Sequence, residues 1–547
     1  MTPDRFRRFD RSAEYDAIVI GAGLGGLACA AIMAKRGHQV LVLDQHYLAG
    51  GNATVFNRPG YEFDIGVHYV GDCEKGGQIP MVLEEAGVSV DFLPMDPDGF
   101  DTMVFPDGFR FAYPRGIDAF EARLLATFPD DAKGIKRYCS LVRQMFRLMR
   151  ADNRPLRLLL TLPRVTTALK YLDKTLKEFL DTCTKNPRLY AVLCGPHMDY
   201  AVAPSRVSAP LHCGLIAHYL YTGACYPKGG GQVIADRLSE AIEAKGGKIM
   251  LRATVTKILV EDGRAVGVVF HNKHVGEQTV RARAIVSNAD LKKTYAELLP
   301  AGAAKPKVAE RVAGFEMAPG VGVVYIGARR DRLPKDIKNT NLWLFASDDV
   351  EADYKAIAAG RFCENPMAYV TFTSLKDPEA DIAPEGIVNL QIMTAVPTGF
   401  AAWGVTPESF KDGTYRKRPE YLAVKAAFME RMIARAETAV PGLRDAIVYS
   451  EVATPLTHQR YTWASEGTPY GIACLPSQFN FNRPEARSEV KGLFLAGGSM
   501  RQGHGIVGAL MSGRDAAKAA QKVLAGGKKK KSAARQLSRD TFTPVSA

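Results

Sequence analysis

The sequence lacks the patterns that mark several classes of protein. Its nine cysteines are scattered over 547 residues and form no C-x-x-C pair, so the sequence predicts neither a metal site nor a disulfide framework. No internal repeat is visible, and the polar start, MTPDRFRRFDRSAEYD, does not resemble a secretory signal. Reduced thiols in a cytoplasm are therefore the expectation.

Charge of one sign is in large excess only at the end of the chain. The formal net charge is +13, and six basic residues against one acid from Gly526 onwards leave +5 of it on the tail. Apolar residues make up 47% and charged residues 24%, which excludes a wholly disordered, collagen-like or coiled-coil chain. The mildly basic body favours an anionic membrane surface as partner, and no nucleic-acid partner is predicted.

The run from Ala17 to Ala34 contains no charge and has the length of a membrane span. Its glycines indicate a different structure. YDAIVI is typical of a buried parallel strand, GAGLGG of a turn, LACAAIMAKRG of a helix, and HQVLVLD of a second strand that ends at Asp44. This βαβ unit predicts a dinucleotide-binding site.

Each conserved position of the G-x-G-x-x-G pattern has a physical reason. Gly21 permits the tight turn, Gly23 lets the backbone approach a pyrophosphate, and Gly26 lets the helix pack close to the strand. The helix N-terminus offers free N–H groups to the phosphates. Asp44 is predicted to accept hydrogen bonds from a ribose diol.

Two further motifs point to a flavin. The segment QHYLAGGNATVFNRPGYEFDIGVHYVGD resembles the second glycine motif of glutathione-reductase-like, amine-oxidase-like flavoproteins, and GLFLAGGSMRQGHGIVGALMSG resembles their C-terminal flavin motif. The resemblance implies FAD as cofactor. It places FAD contacts at Gly50, Gly51, Asn52, Val255, Gly497, Gly498, Gly505 and Ile506. Asn52 stands where these families often carry Arg, and Asp44 replaces a common Glu.

Longer segments narrow the resemblance. YPKGGGQVIADRLSEAIEAKGGKIMLRATVTKILVEDGRAVGV, AIVSNAD and TPLTHQRYTWASEGTPYG are similar to the phytoene desaturase, carotenoid isomerase and retinol saturase group over most of residues 14–522. The resemblance implies an α/β fold, in which a Rossmann-like FAD-binding domain carries an inserted substrate domain of mixed sheet and helices. The predicted FAD-binding segments are 14–75, 227–295 and 488–522; the substrate segments are 76–226 and 296–487; residues 526–547 are predicted to be a disordered basic tail.

The implied function is FAD-dependent desaturation, saturation or isomerisation of carbon–carbon bonds in a long apolar isoprenoid such as a carotenoid or retinoid. Two alternatives stay open: an amine-oxidase-like flavoprotein with a smaller substrate, and a non-redox prenyl- or lipid-binding protein on the same fold. The physiological electron partner is open between oxygen, a quinone and a soluble reductant.

Three residues are candidates for catalysis. His68 closes the D-x-G-x-H motif, where it is either a proton donor or a structural hydrogen-bonding group. Arg501 and His504 lie on the C-terminal glycine loop and are candidates for donating to the flavin N1–C2=O region. A helix N-terminus supplies the same effect without them.

Residues 139–171 form a basic segment interleaved with apolar residues. Its basic residues are Arg143, Arg147, Arg150, Arg154, Arg157, Arg164 and Lys170. The first three share one helical face, which is typical either of a helix at a membrane interface or of a solvated basic face. We expect a cytoplasmic protein that is peripheral at the membrane.

Overall fold

The computed structural model describes residues 14–151 and 160–539, and their side chains as far as residue 525. The strands are β1 Tyr15–Ile20, β2 Val40–Leu43, β3 Val55–Arg58, β4 Tyr61–Asp64, β5 Phe92–Pro94, β6 Asp101–Val104, β7 Arg110–Tyr113, β8 Cys225–Pro227, β9 Lys248–Met250, β10 Ala253–Glu261, β11 Arg264–Asn272, β12 Gly276–Ser287, β13 Gly320–Arg329, β14 Asn341–Leu344, β15 Ala368–Phe372, β16 Ile387–Val396, β17 Ile447–Ala453 and β18 Leu493–Leu495.

Helices connect and cover these strands. Those of eight or more residues are Leu24–Lys35, Gln78–Ala86, Ile117–Thr127, Ala132–Arg150, Pro187–Cys194, Ala209–Thr222, Val233–Ala244, Pro306–Ala313, Glu351–Ala358, Pro419–Glu437, Pro455–Thr462 and Gly505–Arg539. The shorter ones are Thr166–Lys170, Leu176–Leu180, Leu291–Lys293, Thr373–Lys376, Pro407–Lys411 and Leu443–Ala446.

The first sheet has seven strands, in the order β10-β11-β12-β1-β2-β9, with β18 paired to β12. β1 pairs in parallel with both β2 and β12, and its apolar side chains are buried. Helices lie against this sheet because strands of a parallel sheet bury both faces. The first sheet therefore has the Rossmann-like arrangement that the sequence predicts.

Two helices from opposite ends of the chain pack closely on the first sheet. Leu24–Lys35 and Gly505–Arg539 meet at a glycine: a Cβ atom on Gly513 would lie 2.1 Å from the Gly25 carbonyl oxygen. No side chain fits at this crossing, so the helices Leu24–Lys35 and Gly505–Arg539 pack together as one unit.

The second sheet also has seven strands, in the order β17-β13-β16-β15-β14-β6-β7. β13 pairs over its full length with β16 and also with β17, both antiparallel. The helix Pro419–Glu437 packs Phe428 and Met432 into the core on this sheet. Outside the two sheets, the helices Ile117–Thr127 and Ala132–Arg150 follow one another along the chain.

The structure differs from the sequence-based expectation at the tail. Residues 526–539, predicted to be disordered, continue the helix Gly505–Arg539. Alanine and lysine are strong helix formers, and they dominate the sequence from residue 516 onwards. Residues 540–547 lie outside the described part of the chain. Over residues 14–151 and 160–539, the helices are all either too short or too polar to cross a membrane.

Candidate functional site

A cavity of about 860 Å³ lies between the two sheets. This volume is in the upper part of the range of about 300–1,000 Å³ that is usual for small-molecule sites. One end of the cavity is lined by glycine turns of the first sheet. The other end is lined by aromatic and methionine side chains from the second sheet and from the helices Ala132–Arg150 and Ala209–Thr222. We call these the glycine end and the aromatic end.

The first glycine turn forms as the spacing predicts. Gly21 has φ +94°, a conformation that favours glycine. Gly23 is the N-cap of helix Leu24–Lys35 and makes no side-chain cap, so the first N–H groups of the helix are free for a phosphate. A Cβ on Gly26 would lie 2.1 Å from the Gly21 carbonyl oxygen, which excludes any side chain there.

Asp44 follows β2 and lines the same end of the cavity. Its Oδ2 accepts a hydrogen bond from the Ala22 N–H at 2.6 Å, and its Oδ1 accepts one from the His46 N–H at 2.7 Å. Burial raises the pKa of this carboxyl, and the two N–H donors oppose that shift. The carboxylate therefore fixes the turn while it faces the cavity.

The second glycine pair lies directly against the first turn. The Gly50 N–H donates to the Ala22 carbonyl at 2.7 Å, and a Cβ on Gly51 would lie 3.1 Å from the Gly23 Cα. Asn52 Nδ2 donates to the Pro469 carbonyl at 3.1 Å. Its Oδ1 is buried and has no hydrogen-bond partner within the described residues, so it can accept a bond from a ligand.

The remaining predicted cofactor contacts also lie on the cavity. Val255 belongs to β10, which stands at one end of the first sheet. Gly497 and Gly498 follow β18, and the helix that begins at Gly505 opens onto the cavity with Ile506. The structure thus places the predicted FAD contacts around one cavity, except Gly26, which packs against the Gly21 carbonyl behind the turn, and their individual roles remain predictions.

The three catalytic candidates lie in different surroundings. His68 lines the cavity, and its Nδ1 is buried without a hydrogen-bond partner in the described residues. Burial lowers the pKa of His68 to about 3, helped by the charge of Lys376, so the ring is neutral near pH 7. Its proposed proton-donor role stays a prediction.

His504 lines the cavity but is held by the protein through both ring nitrogens. Nε2 lies 3.0 Å from the Asp199 carbonyl oxygen, and Nδ1 lies 3.4 Å from Cys474 Sγ. Burial would raise the pKa of the Cys474 thiol, but the positive charges of His504 and Arg483 lower it. His504 therefore joins the glycine loop to the segments around Asp199 and Cys474.

Arg501 is not among the residues that line the cavity. Its guanidinium pairs with Glu485 at 2.6 Å and lies over the Phe481 ring. The structure brings His68 and His504 to the cavity, but it holds Arg501 in an ion pair away from it. Within the described residues, no cluster of His, Cys, Asp and Glu could hold a metal ion.

The aromatic end contains polar residues that the sequence did not single out. Tyr69 stacks on Tyr219 with ring centroids 4.5 Å apart, and its hydroxyl lies near Asp199 and Asp101. Lys376 is buried, and burial lowers its pKa to about 7. These residues come from distant parts of the chain and form no sequence motif.

The residues present at the glycine end fit FAD. The turns at Gly21 and Gly50 admit no side chains, two helices begin at the cavity, and Asp44 and Asn52 offer acceptors. An extended dinucleotide needs this combination of close backbone approach and free N–H groups. When bound, FAD supplies two-electron redox chemistry.

The fold and the site define a flavin-dependent oxidoreductase. The chain belongs to the flavin containing amine oxidoreductase family, whose sequence model matches residues 24–374. FAD as cofactor and the Rossmann-like α/β fold are thereby confirmed.

Curated relatives place the chain more closely. It is 31% identical to an all-trans-retinol 13,14-reductase of Macaca fascicularis over 84% of this chain and 77% of that one. It is 28% identical to the enzyme of the same name from Danio rerio, over 88% and 82%. It is 27% identical to prolycopene isomerase 1 of an Oncidium hybrid cultivar, over 92% and 84%. These relatives confirm the phytoene desaturase and retinol saturase group.

Solved structures share the fold. An oxidoreductase from Methanosarcina mazei superimposes with a TM-score of 0.61 at 19% identity, covering 91% of this chain and 98% of that one. Cyclohexylamine oxidase from Brevibacterium oxydans gives 0.58 at 16% identity, covering 94% and 100%. At these identities the likeness shows the fold alone, and the closer relatives do not favour the amine-oxidase or lipid-carrier alternatives.

Proposed function

We propose that this chain is a FAD-dependent oxidoreductase that reduces a carbon–carbon double bond in a long, conjugated, apolar isoprenoid. The observation that carries the proposal is the single cavity in which a dinucleotide cradle continues into an aromatic end. An extended polyene needs such a path, because it must lie against the flavin while its chain stays out of water.

The wall of the aromatic end is suited to a polyene. Its apolar members are Met145, Met149, Met198, Leu211, Leu215, Tyr219, Val321, Val323, Trp343, Tyr369 and Met393. Methionines adapt to an irregular shape, and aromatic rings bury large areas with few rotatable bonds. These side chains bind and orient the chain of the substrate and exclude water from it.

The direction of reaction is supported by names of relatives. Four of them, at 28–31% identity, are retinol 13,14-reductases, whereas the prolycopene isomerases are 27% identical. Reduction adds two hydrogens to the product and isomerisation adds none. Product mass therefore separates the two reactions.

The first experiment is the visible spectrum of the purified protein before and after anaerobic dithionite. We expect flavin bands that bleach on reduction. Reduced and oxidised enzyme are then given a conjugated polyene alcohol separately, under argon. Product heavier by two hydrogens from the reduced enzyme supports the proposal. An unchanged mass with shifted geometry contradicts it in favour of isomerisation, and the absence of flavin after incubation with FAD overturns it altogether.

We further propose that the enzyme takes its substrate from a membrane surface near residues 160–172. Four leucines in this stretch are exposed: Leu160 by 64%, Leu162 by 37%, Leu169 by 42% and Leu172 by 42%. They follow the helix Ala132–Arg150, whose Met145 and Met149 line the cavity. Arg164 and Lys170 lie among them, so an apolar patch with basic residues adjoins the cavity wall.

The arginine face that the sequence predicts is largely used inside the protein. Arg143 pairs with Asp118 and Glu121, and Arg150 pairs with Asp72 at 2.6 Å. Arg154 and Arg157 lie outside the described residues. The leucines, rather than the three arginines, are therefore the main contribution to the proposed docking surface.

Flotation with anionic vesicles tests this surface. A Leu160→Glu, Leu169→Glu double variant is expected to lose most of its vesicle binding, because each exposed leucine contributes about 1.5–3 kcal/mol when it is buried in an apolar phase. Leu422, 47% exposed on a different helix, provides the matched control Leu422→Glu. Equal binding by wild type and the double variant would contradict the assignment.

A further inference from the structure

Two carboxyl groups at the aromatic end share one phenol. Tyr69 Oη lies 2.7 Å from Asp199 Oδ2 and 3.2 Å from Asp101 Oδ2. We call these three residues the carboxyl–phenol chain. The phenol carries one hydrogen and can donate it to one carboxylate at a time. Both contacts are hydrogen bonds only if one of the carboxyls carries its own proton.

The surroundings show which carboxyl is the acid. Asp101 Oδ1 accepts a hydrogen bond from Asn341 Nδ2 at 2.9 Å, and Asn341 Oδ1 accepts one from the Lys376 ammonium at 2.7 Å. A nearby cation and an amide donor favour the ionised form of Asp101. They lie on the Asp101 side of the phenol, so the proton belongs on Asp199.

The pKa directions agree with this assignment. Burial raises the pKa of Asp199 well above its usual value, and the charge of Asp101 raises it further. Burial raises the pKa of Asp101 only to about 6, because its hydrogen bonds and Lys376 oppose the shift. Burial also raises the pKa of Tyr69 well above 10, so the phenol keeps its hydrogen.

Asp199 lines the cavity beside His504 of the C-terminal glycine loop. Its backbone is fixed on both sides: Tyr470 Oη donates to the Met198 carbonyl at 2.7 Å, and His504 Nε2 donates to the Asp199 carbonyl at 3.0 Å. His504 immediately precedes the helix that opens onto the glycine end. These contacts hold the backbone of Asp199 against the loop that leads into the helix Gly505–Arg539, while its carboxyl bonds Tyr69.

We propose that Asp199 is the acid that protonates the substrate carbon, and that Tyr69 and Asp101 position and stabilise it. The proposal rests on the proposed reduction. Reduced FAD, when bound, would supply a hydride equivalent, two electrons and a proton, to one carbon of the double bond. The other carbon forms a C–H bond as the Asp199 O–H bond and the substrate π bond break. The phenol hydrogen of Tyr69 then turns to the Asp199 carboxylate, which takes up a proton from solvent after the product leaves.

The first test does not need turnover. Infrared difference spectra of the flavin-loaded protein at neutral pH compare wild type with Asp199→Asn. We expect a carbonyl stretch of a protonated carboxyl in wild type that is lost in the variant. The same band is expected in Tyr226→Phe, a matched control in which a buried phenol at 2.5 Å from Asp64 is removed. A band that is absent from wild type, or unchanged in Asp199→Asn, overturns the proposal.

The second test is turnover in heavy water. Asp199→Asn is expected to lose about 10²–10⁴-fold in product formation, with FAD content and KM close to wild type. Tyr69→Phe keeps the ring stacked on Tyr219, so it is expected to fold, to lose less rate and to shift the pH profile. Wild-type product is expected to carry one solvent deuterium on the carbon that is protonated, and Asp199→Glu is expected to restore part of the rate.

The outcomes separate the two proposals. A wild-type enzyme that reduces no polyene overturns the proposed function, and the catalytic assignment of Asp199 falls with it. An active wild type whose Asp199→Asn variant keeps its rate overturns only the assignment. An Asp199→Asn variant that loses rate together with FAD indicates a structural role and also overturns it.

Discussion

The two ends of the cavity are built on different principles. The glycine end is made of backbone, where turns at Gly21 and Gly50 and the starts of two helices present N–H groups. The aromatic end is made of side chains, among them Tyr69, Asp199 and Trp343, that come from separate segments. A backbone site restricts the sequence to glycine at fixed spacings, whereas a side-chain site restricts only the three-dimensional arrangement. The first leaves a motif and the second does not.

The largest effect is expected from a glycine substitution at the glycine end. Gly26→Ala places a Cβ 2.1 Å from the Gly21 carbonyl oxygen, so we expect loss of bound FAD and a loss of unfolding free energy of about 4 kcal/mol, at the exceptional end for a point mutation. Flavin absorbance per protein and a denaturant titration measure both.

Gly214→Ala is the matched change at the aromatic end. Gly214 lies within helix Ala209–Thr222, and a Cβ there meets only methionine side-chain atoms at 3.8 Å. This variant is expected to keep its FAD and to gain up to about 1 kcal/mol of stability. If both variants lose FAD alike, the contrast between the two ends is wrong.

Substitution of a buried arginine tests whether the glycine end also depends on side chains. Arg483 is 1% exposed and donates to the carbonyls of Gln478, Gly498 and Ile472. Arg483→Met leaves these carbonyls without their donor, and we expect a loss of about 3–5 kcal/mol in unfolding free energy and weaker FAD binding. Thermal and denaturant unfolding, with and without added FAD, are the measurements. The exposed Arg487→Met is the control, and an equal effect in both variants would contradict the role of Arg483.

Acid should lower the stability of the fold through its buried histidines. Burial lowers the pKa of His197 to about 3, and those of His212, His218 and His458 to about 4. The unfolded chain binds protons on these groups below about pH 6.5 and the folded chain does not, so stability is lost as pH falls from there. Each group contributes about 1.4 kcal/mol per pH unit in that range.

Three carboxyls partly oppose this effect. Burial raises the pKa values of Asp64 and Asp101 to about 6 and that of Asp199 well above its usual range, so the folded chain gains stability from their protonation as the pH falls towards about 4. Denaturant titrations followed by tryptophan fluorescence, from neutral to acid pH, measure the net slope. His458→Gln should reduce that slope by the contribution of one histidine, about 1.4 kcal/mol per pH unit. A stability that does not fall with acid would show that these histidines are not buried as neutral rings.

The smallest effect is expected at Arg501. Its ion pair with Glu485 is partly exposed, and such pairs contribute about 0–1 kcal/mol. Arg501→Ala is expected to keep FAD and to keep the rate within about 2-fold, since the residue does not line the cavity. Steady-state kinetics and the flavin spectrum check this. A large loss of rate would restore the sequence-based hypothesis that Arg501 acts on the flavin.

The contrast between the glycine end and the aromatic end explains which parts of the fold and of the site could be predicted from the sequence. The βαβ unit, the glycine pair at 50–51 and the C-terminal loop were predictable, because a Cβ is excluded at several of these positions. The pairing of β12 with both β1 and β18 follows from the family resemblance rather than from local pattern. The network of Tyr69, Asp101 and Asp199 could not be predicted, because it joins residues up to 130 positions apart that share no spacing.

At residues 526–539 the sequence led to a prediction of disorder where the structure has a helix. Low apolar content predicts disorder from residue 526, but composition measures the ability to bury a core rather than the ability to form a helix. Residues 526–539 extend a helix that is already nucleated by its packing at Gly513. Local propensity was therefore a better guide than burial at this position.

The crossing of Leu24–Lys35 with Gly505–Arg539 has a consequence for biosynthesis. The glycine end needs residues 21–52 and residues 497–506 together, so almost the whole chain must be made before a flavin can be held. A nascent chain therefore carries its substrate region without a cofactor for most of translation. Cells short of riboflavin would accumulate full-length chains that lack the stabilisation a bound cofactor gives, and such chains are suitable substrates for quality-control proteases.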